Sequence, residues 1–323
     1  MIGEALRVQD LRVYFHTPRG AARAVDGASF SVKSGTRLGL VGESGSGKTT
    51  IALALMRLIR PPGRIEGGRV FVGETDLLGL SDEEMRQARF ARIALVPQGA
   101  MNALNPVMRI KHQLMDVMVA HNDKNSSWKL EARVRETLEL VGLRRDVLEM
   151  YPHELSGGMK QRVCIAMAIG LHPQIIVADE PTSALDVVVQ RQVMETLEAA
   201  QEQLGASVIL IGHDMGLMAQ YADSIAVMYA GHVAELGPVE DIFEDALHPY
   251  TQLLIATLPS LNVKRSFRGI PGIPPSLLAP PQGCLFHPRC PFKMDRCEVE
   301  MPPYTEVRPG RFVACHLVSG APQ

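Results

Sequence analysis

Residues 36–59 read TRLGLVGESGSGKTTIALALMRLI, and the fold class turns on this stretch. Its first part, 38–41, is a short apolar run of the kind a buried strand shows, and the spacing after Lys48 predicts a helix that the prolines Pro61 and Pro62 end. Between them lies GESGSGKT, which fits G-x-x-x-x-G-K-[ST] with Gly42, Gly47, Lys48 and Thr49 in the fixed places. Glycines let successive backbone N–H groups, here those around Ser44, Gly45, Ser46 and Thr50, converge on phosphate oxygens, and the helix N-terminus adds positive potential. In that reading Lys48 reaches the β and γ phosphates and Thr49 holds Mg2+.

Outward from this cradle the pattern is strand alternating with helix, which predicts a parallel, layered α/β core. QIIVADE, residues 174–180, is a buried-type strand that delivers Asp179 and Glu180 to its C-terminal edge, where open α/β sheets bind ligands. Asp179 suits support of Mg2+, and Glu180 suits orientation or deprotonation of an attacking water. A long helix to Gly205 and another buried strand in ASVILIGHD follow. Before the cradle, Leu11, Val13 and Phe15 share one strand face, and ASFSVKSG reads as a second strand, so a small antiparallel sheet is expected there. The middle of the chain reads as helical. SDEEMRQARF opens with a capping box, Ser81 and Glu84, and WKLEARVRETLELVG is an amphipathic helix stopped by Gly142.

Composition is that of an ordinary globular protein. The chain has 323 residues, 46% apolar and 21% charged, with a formal charge of −2, so no overall basic field draws it to nucleic acid or anionic lipid. The N-terminus lacks the pattern of a secretion signal and no segment approaches the roughly 20 apolar residues of a membrane span, so a cytoplasmic protein is expected. Beyond Gly237 periodicity fades, and twelve of the 22 prolines fall from Pro259 onward. That places a boundary near residues 236–247, giving a main domain over 1–240 and a C-terminal domain over 241–323. Four of the five cysteines, Cys284, Cys290, Cys297 and Cys315, crowd into the latter with spacing C-x5-C-x6-C-x17-C. In a reducing compartment such thiols read as metal ligands before disulfides, and four of them satisfy either an Fe–S cube or a four-thiolate zinc site. Cys164 reads as a small buried apolar residue.

A second glycine motif, LSGGMKQR at 155–162, offers a hydroxyl and backbone amides at Ser156, Gly157 and Gly158 just before a helix, as a γ-phosphate site or a plain helix cap would. Taken in order, GESGSGKTT, LSGGMKQR, IIVADEPTSALD and IGHD resemble the nucleotide-binding subunits of ABC transporters over about the first 240 residues. The resemblance implies a P-loop NTPase fold with a RecA-like parallel sheet, an antiparallel β subdomain and a helical subdomain over about 99–162. It also implies why one chain carries two cradles. Two subunits pack head to tail, and each ATP lies between one subunit's phosphate loop and the other's signature loop, so Ser156, Gly157 and Gly158 serve a partner's ATP. By the same resemblance His213 contacts the γ-phosphate, Gln98 senses Mg2+ or the lytic water, and Asp186 crosses to the partner. Phe15, with Tyr14 as second choice, is expected to stack on adenine.

YPHELSGGMKQRV, ALNPV, HPYTQLLIATLP and GCLFHPRCPF further resemble the ATP-binding subunits of dipeptide and oligopeptide importers, which extends the likeness to nearly the whole chain. One departure is GAMNALNP after Gln98, where relatives have an Asp-Pro pair. That subgroup implies a [4Fe-4S] cluster on the four cysteines, in preference to zinc. It implies as partners a second, homologous ATPase subunit, two membrane permease subunits and an extracytoplasmic solute-binding protein, with the chain peripheral at the cytoplasmic face of the membrane. The expected function is thus ATP hydrolysis that energises peptide import. Rivals are a soluble non-transport ABC ATPase, an Fe–S redox-regulated ATPase, and a transporter of nickel or sugar.

Overall fold

The computed structural model describes residues 3–99, 102–121, 127–183, 185–258 and 269–318. In chain order the elements are β1 (Glu4–Thr17), β2 (Gly20–Lys33), β3 (Arg37–Val41), α1 (Lys48–Leu55), β4 (Gly63–Val72), β5 (Thr75–Asp76), α2 (Asp82–Ala88), β6 (Ile93–Val96), α3 (Ile110–Val119), α4 (Ser127–Leu140) and α5 (Gly157–Ile169). There follow β7 (Ile175–Asp179), α6 (Val187–Leu204), β8 (Ser207–Ile211), α7 (Met215–Tyr221), β9 (Ser224–Tyr229), β10 (His232–Pro238), α8 (Val239–Glu244), α9 (Pro249–Ala256), α10 (Arg296–Val299), β11 (Thr305–Arg308) and β12 (Arg311–Val313). The chain folds as two compact units, each gathered from separate stretches of sequence: Met1–Leu6, Val32–Thr36 and Phe71–Ile211 in the first, Arg7–Ser31, Arg37–Val70 and Gly212–Gln323 in the second.

The first unit contains the parallel strands β6, β7 and β8, with Ile93 opposite Ile175 and Ile175 opposite Ser207. Ile175, Ile176, Val177 and Ala178 are all fully buried. Strands covered on both faces need apolar residues at every position, so this segment reads as a run and does not alternate. Burying each of its large side chains contributes about 1.5–3 kcal/mol. Among the helices, α2 starts on the expected capping box, Ser81 accepting from Glu84 N and Glu84 reaching back to Ser81 N. Helix α4 buries Leu130, Val134 and Leu138, an i, i+4, i+8 stripe, and the chain then turns at Gly142, φ 66°. Helix α5 is covered almost all round, burying Val163, Cys164, Ile165, Ala166, Ala168 and Ile169, whereas α6 is stopped by Gly205 in the left-handed region.

In the second unit β3 runs parallel to β9, β9 pairs antiparallel with β10, and β10 with β12, which turns back on β11. The last strand thus returns to lie beside Glu235 and Leu236. A separate sheet takes the order β2-β1-β4. Along β1 the buried residues Leu6 and Val8 give way to Leu11 and Val13; the alternation changes parity at Asp10, whose φ is 49°. Helix α1 corrects one expectation. It ends at Leu55, well before the prolines, because Arg57 adopts φ 49° and Leu58 N donates to Leu53 O at 2.8 Å, a left-handed closure without glycine.

Candidate functional site

In the second unit, the phosphate loop is built from three left-handed glycines, Gly42 (φ 147°), Gly45 (φ 77°) and Gly47 (φ 106°). At two of them a side chain has no room. A Cβ on Gly42 would stand 2.2 Å from Met228 O, and one on Gly47 2.3 Å from Ala24 O. Gly47 is the residue from which α1 begins and has no side chain to cap it, which leaves the helix N-terminus to a ligand. Lys48 is buried, its Nζ donating to Gly42 O at 2.8 Å and Glu43 O at 2.9 Å, with Ser46 Oγ at 3.5 Å. The ammonium is therefore folded onto the loop's own oxygens, atoms that a phosphate oxygen can replace. Ser46 is buried and its carbonyl accepts from Gly231 N at 3.0 Å; Ser44, Gly45 and Thr49 are exposed and Thr50 is half-buried.

Glu43 is a loop residue that sequence reasoning passed over. Its carboxylate is gripped by both terminal nitrogens of Arg289, at 2.6 and 2.9 Å, and its backbone N donates to Tyr250 Oη at 2.9 Å. Neither partner is near it in sequence, so only an unpaired acid inside an anion-binding motif could have signalled a hidden cation. Also in this unit, His213 is exposed, next to Asp214, whose side chain caps α7 by accepting from Leu217 N. Of the two aromatic candidates, Tyr14 donates its hydroxyl to Asp26 at 2.6 Å and has Arg23 over its ring, while Phe15 is half-buried with Gly63 at its ring edge.

The first unit brings together Gln98 and Glu180. Gln98 Nε2 donates to Glu180 Oε2 at 2.7 Å, just beyond the end of β7, where Asp179 is buried. Glu180 has φ 46°, and its N donates to Ile211 O at 2.9 Å. A non-glycine held in the left-handed region is strained by roughly 1–3 kcal/mol, and Glu180 is held there at the position where it meets Gln98. Ser156 is exposed and caps α5, accepting from Met159 N, and Asp186 caps α6, accepting from Val188 N and Val189 N at 3.0 Å. Gly157 is half-buried and Gly158 buried; a Cβ on Gly158 would lie 2.5 Å from Val189 Cγ1, so the two caps meet through that valine. Residues 100 and 101 of the GAMNALNP departure, and residue 184 of SALD, lie outside the described residues.

The four C-terminal cysteines are unbridged and fall in the second unit. Burial pushes the Cys284 thiol up to about 11 and raises Cys290 and Cys315 as well, with the neighbouring thiols adding to the shift. Against that, a backbone N–H two residues on faces each of these sulfurs, from Phe286, Phe292 and Leu317. The donor set is that of a thiolate-bound metal, yet among the described residues no three His, Cys, Asp or Glu side chains converge on one ion. The sequence-based expectation of a formed four-cysteine ligand cage is to that extent not met. Cys164 is buried as expected, its thiol pushed up to about 12 by loss of solvent. No described helix is long and apolar enough to cross a membrane.

Comparison with known proteins bears on both ends of the chain. The family model for ABC transporters matches residues 25–183, and that for the oligopeptide/dipeptide transporter C-terminal region matches residues 234–297. A dipeptide transport ATP-binding protein of Caldanaerobacter subterraneus subsp. tengcongensis is 42% identical over 314 residues, 97% of this chain and 96% of the relative. An oligopeptide transport ATP-binding protein of Escherichia coli is 44% identical over 313 residues, 96% of this chain and 92% of the relative. Among solved structures, a dimeric ATP-binding cassette in a post-hydrolysis state with ADP and Pi superposes with TM-score 0.64 at 25% identity, covering 72% of this chain and 98% of that one.

Proposed function

The chain belongs to the ABC transporter family, and from that premise we propose that it is the ATP-hydrolysing subunit of an importer of dipeptides or oligopeptides. The observation that carries the ATPase reading is the loop of left-handed glycines closed on a buried Lys48. The peptide cargo rests on relatives similar along nearly the whole chain.

In this reading the main domain, 1–240, does the chemistry. Backbone N–H groups of residues 42–50 and the α1 N-terminus receive the triphosphate, and Lys48 transfers its contacts from loop oxygens to the β and γ phosphates. Thr49, Gln98 and Asp179 carry oxygen atoms of the kind Mg2+ prefers, and the ion, when bound, neutralises charge on the phosphates. Glu180, oriented by Gln98, takes a proton from the attacking water or aligns it. His213 contacts the γ-phosphate, and Phe15 stacks on adenine. Ser156, Gly157, Gly158 and Asp186 serve the ATP of a second, homologous ATPase subunit, so two chains close on nucleotide and reopen after hydrolysis. Two membrane permeases receive that motion, a solute-binding protein delivers peptide outside, and the chain sits peripherally on the cytoplasmic face.

The C-terminal domain, 241–323, is assigned an iron–sulfur cluster on Cys284, Cys290, Cys297 and Cys315. What supports it is the donor set, four cysteines within one short stretch of the C-terminal region. Iron and acid-labile sulfide in anaerobically purified protein support it; zinc without iron refutes it.

Reconstitution of the chain with its permeases, second ATPase and binding protein tests the function directly. Peptide-stimulated ATP hydrolysis is expected. Stimulation by nickel or a sugar instead overturns the cargo, and an assembly without ATPase overturns the enzyme. In the same assembly Glu180→Gln is expected to keep ATP bound while turnover falls on the order of a thousandfold.

A further inference from the structure

The phosphate loop contains one acidic side chain, and an acid there is out of place. A carboxylate within a few ångströms of the seat of a polyanion repels it, and that repulsion is strong where solvent is partly excluded. Glu43 is nonetheless present, with its side chain 26% exposed. Arg289 answers it from far along the chain, in the short turn between Cys284 and Cys290, with its own side chain only 3% exposed.

The guanidinium is fully used. Its five N–H groups meet five acceptors: Nε donates to Pro271 O at 2.7 Å, one terminal nitrogen to Glu43 Oε2 at 2.6 Å and Tyr229 Oη at 3.2 Å, and the other to Glu43 Oε1 at 2.9 Å and Ile270 O at 3.3 Å. The group also lies over the rings of Tyr229 and Phe286, 5.8 and 6.0 Å from their centroids. Tyr229, Tyr250 and Phe286 pack against one another at 4.6–5.4 Å between centroids, so the grip is mounted on a rigid aromatic cluster. From that cluster Tyr250 Oη accepts the Glu43 N–H, which fixes the backbone of the same residue. The next peptide links of the loop are those that Lys48 and the glycines shape.

We propose that Arg289, with Tyr250, is a positioning residue for the phosphate loop. It neutralises Glu43, turns that carboxylate away from the phosphate seat and holds the loop open for nucleotide before nucleotide arrives. The C-terminal region is on this account part of the ATP-binding apparatus. Two parallel N–H···O bonds and simultaneous stacking require a planar fork, so lysine is a poor substitute. This inference rests on the ATPase reading above.

A double-mutant cycle on the full chain, with ATP affinity measured by calorimetry, tests it. Wild-type protein binds ATP; if it does not, the ATPase reading itself fails. Given binding, Arg289→Met is expected to raise the Kd about tenfold, and Arg289→Lys to fall between. In the Glu43→Gln background, where no charge needs neutralising, Arg289→Met is expected to change the Kd by less than about twofold. An equal loss in both backgrounds would mean that Arg289 only holds the C-terminal segment together, and no loss in either would mean that it does not act on nucleotide; each overturns the proposal. If Arg289→Met does not fold, the same cycle run with Arg289→Lys decides between these outcomes.

Discussion

The phosphate loop at residues 42–49 and the signature loop at residues 155–158 are both glycine-bearing turns that lead into a helix, yet glycine does different work in each. In the phosphate loop the glycines are there for backbone conformation: all three have positive φ, and at Gly42 and Gly47 the neighbouring atom is a backbone carbonyl that cannot move aside. In the signature loop Gly157 and Gly158 already belong to α5, and Gly158 is needed for the close approach of one side chain, Val189. The first loop leaves its helix uncapped for a ligand, whereas the second is capped by its own Ser156. Similar composition thus gives an uncapped helix start on positive-φ glycines in one place and a self-capped, exposed helix start in the other.

Substitution at the most constrained glycine should have the greatest consequence. Gly47→Ala is expected to abolish nucleotide binding by the isolated chain, with a Kd higher on the order of a thousandfold, because strain at φ 106° adds to a clash with Ala24 O. Calorimetry with ATP checks it, and retention of affinity would mean that the loop relaxes.

Acid should act on the phosphate-loop side. His248 is completely buried, which pushes its pKa down to about 4, and its Nδ1 accepts from Tyr250 N, the residue that holds Glu43. A hydrogen bond with the Ala314 backbone opposes the shift without reversing it, and Glu235, which accepts from the backbone N–H of His248, is engaged by Arg311 and the Leu247 N–H as well. Because the unfolded chain binds the proton first, near pH 6.5, the stability contributed by neutral His248 is present above that value. It is lost as pH falls toward 4, by about 3 kcal/mol in all. Denaturant melts of wild type and His248→Gln across that window should differ in slope, and parallel curves would contradict the assignment.

Smaller effects are expected at the signature loop. Gly158→Ala should destabilise by about 1–3 kcal/mol and be relieved by Val189→Ala, since the obstacle is a side chain. A failure of that rescue would show that the glycine serves the backbone after all. Ser156→Ala should remove about 1 kcal/mol with the cap. It should leave ATP affinity of the isolated chain unchanged while slowing hydrolysis in the assembly; weakened binding by the lone chain would place Ser156 in the wrong site.

Several features were legible because their physics is local. The capping box at Ser81 and Glu84, the stops at Gly142 and Gly205 and the buried run before Asp179 need only a few neighbouring residues to act, and each stands where the sequence places it. The end of α1 was not legible, since a left-handed arginine closed the helix where no glycine or proline marks it. Phe15 shares the parity of Leu11 and Val13 as expected, but the change of parity at Asp10 depends on a backbone angle that residue type does not specify.

Residue order alone was enough to place the strand before the glycine loop, the helix after it and the buried strands that end at Asp179 and Ile211, and to raise the expectation that lysine, acids and glycines at fixed spacing carry phosphate chemistry. These follow from short-range sterics, capping and hydrophobic period, all of which are set within one or two turns of chain. The folded molecule was needed to show that Gln98 meets Glu180, that Val189 links two caps, and that Glu43 is answered by Arg289 and Tyr250. Those partners stand 82, 31, 246 and 207 residues apart, distances over which a sequence pattern carries no geometry and only the packing of the completed fold brings charges and side chains into contact.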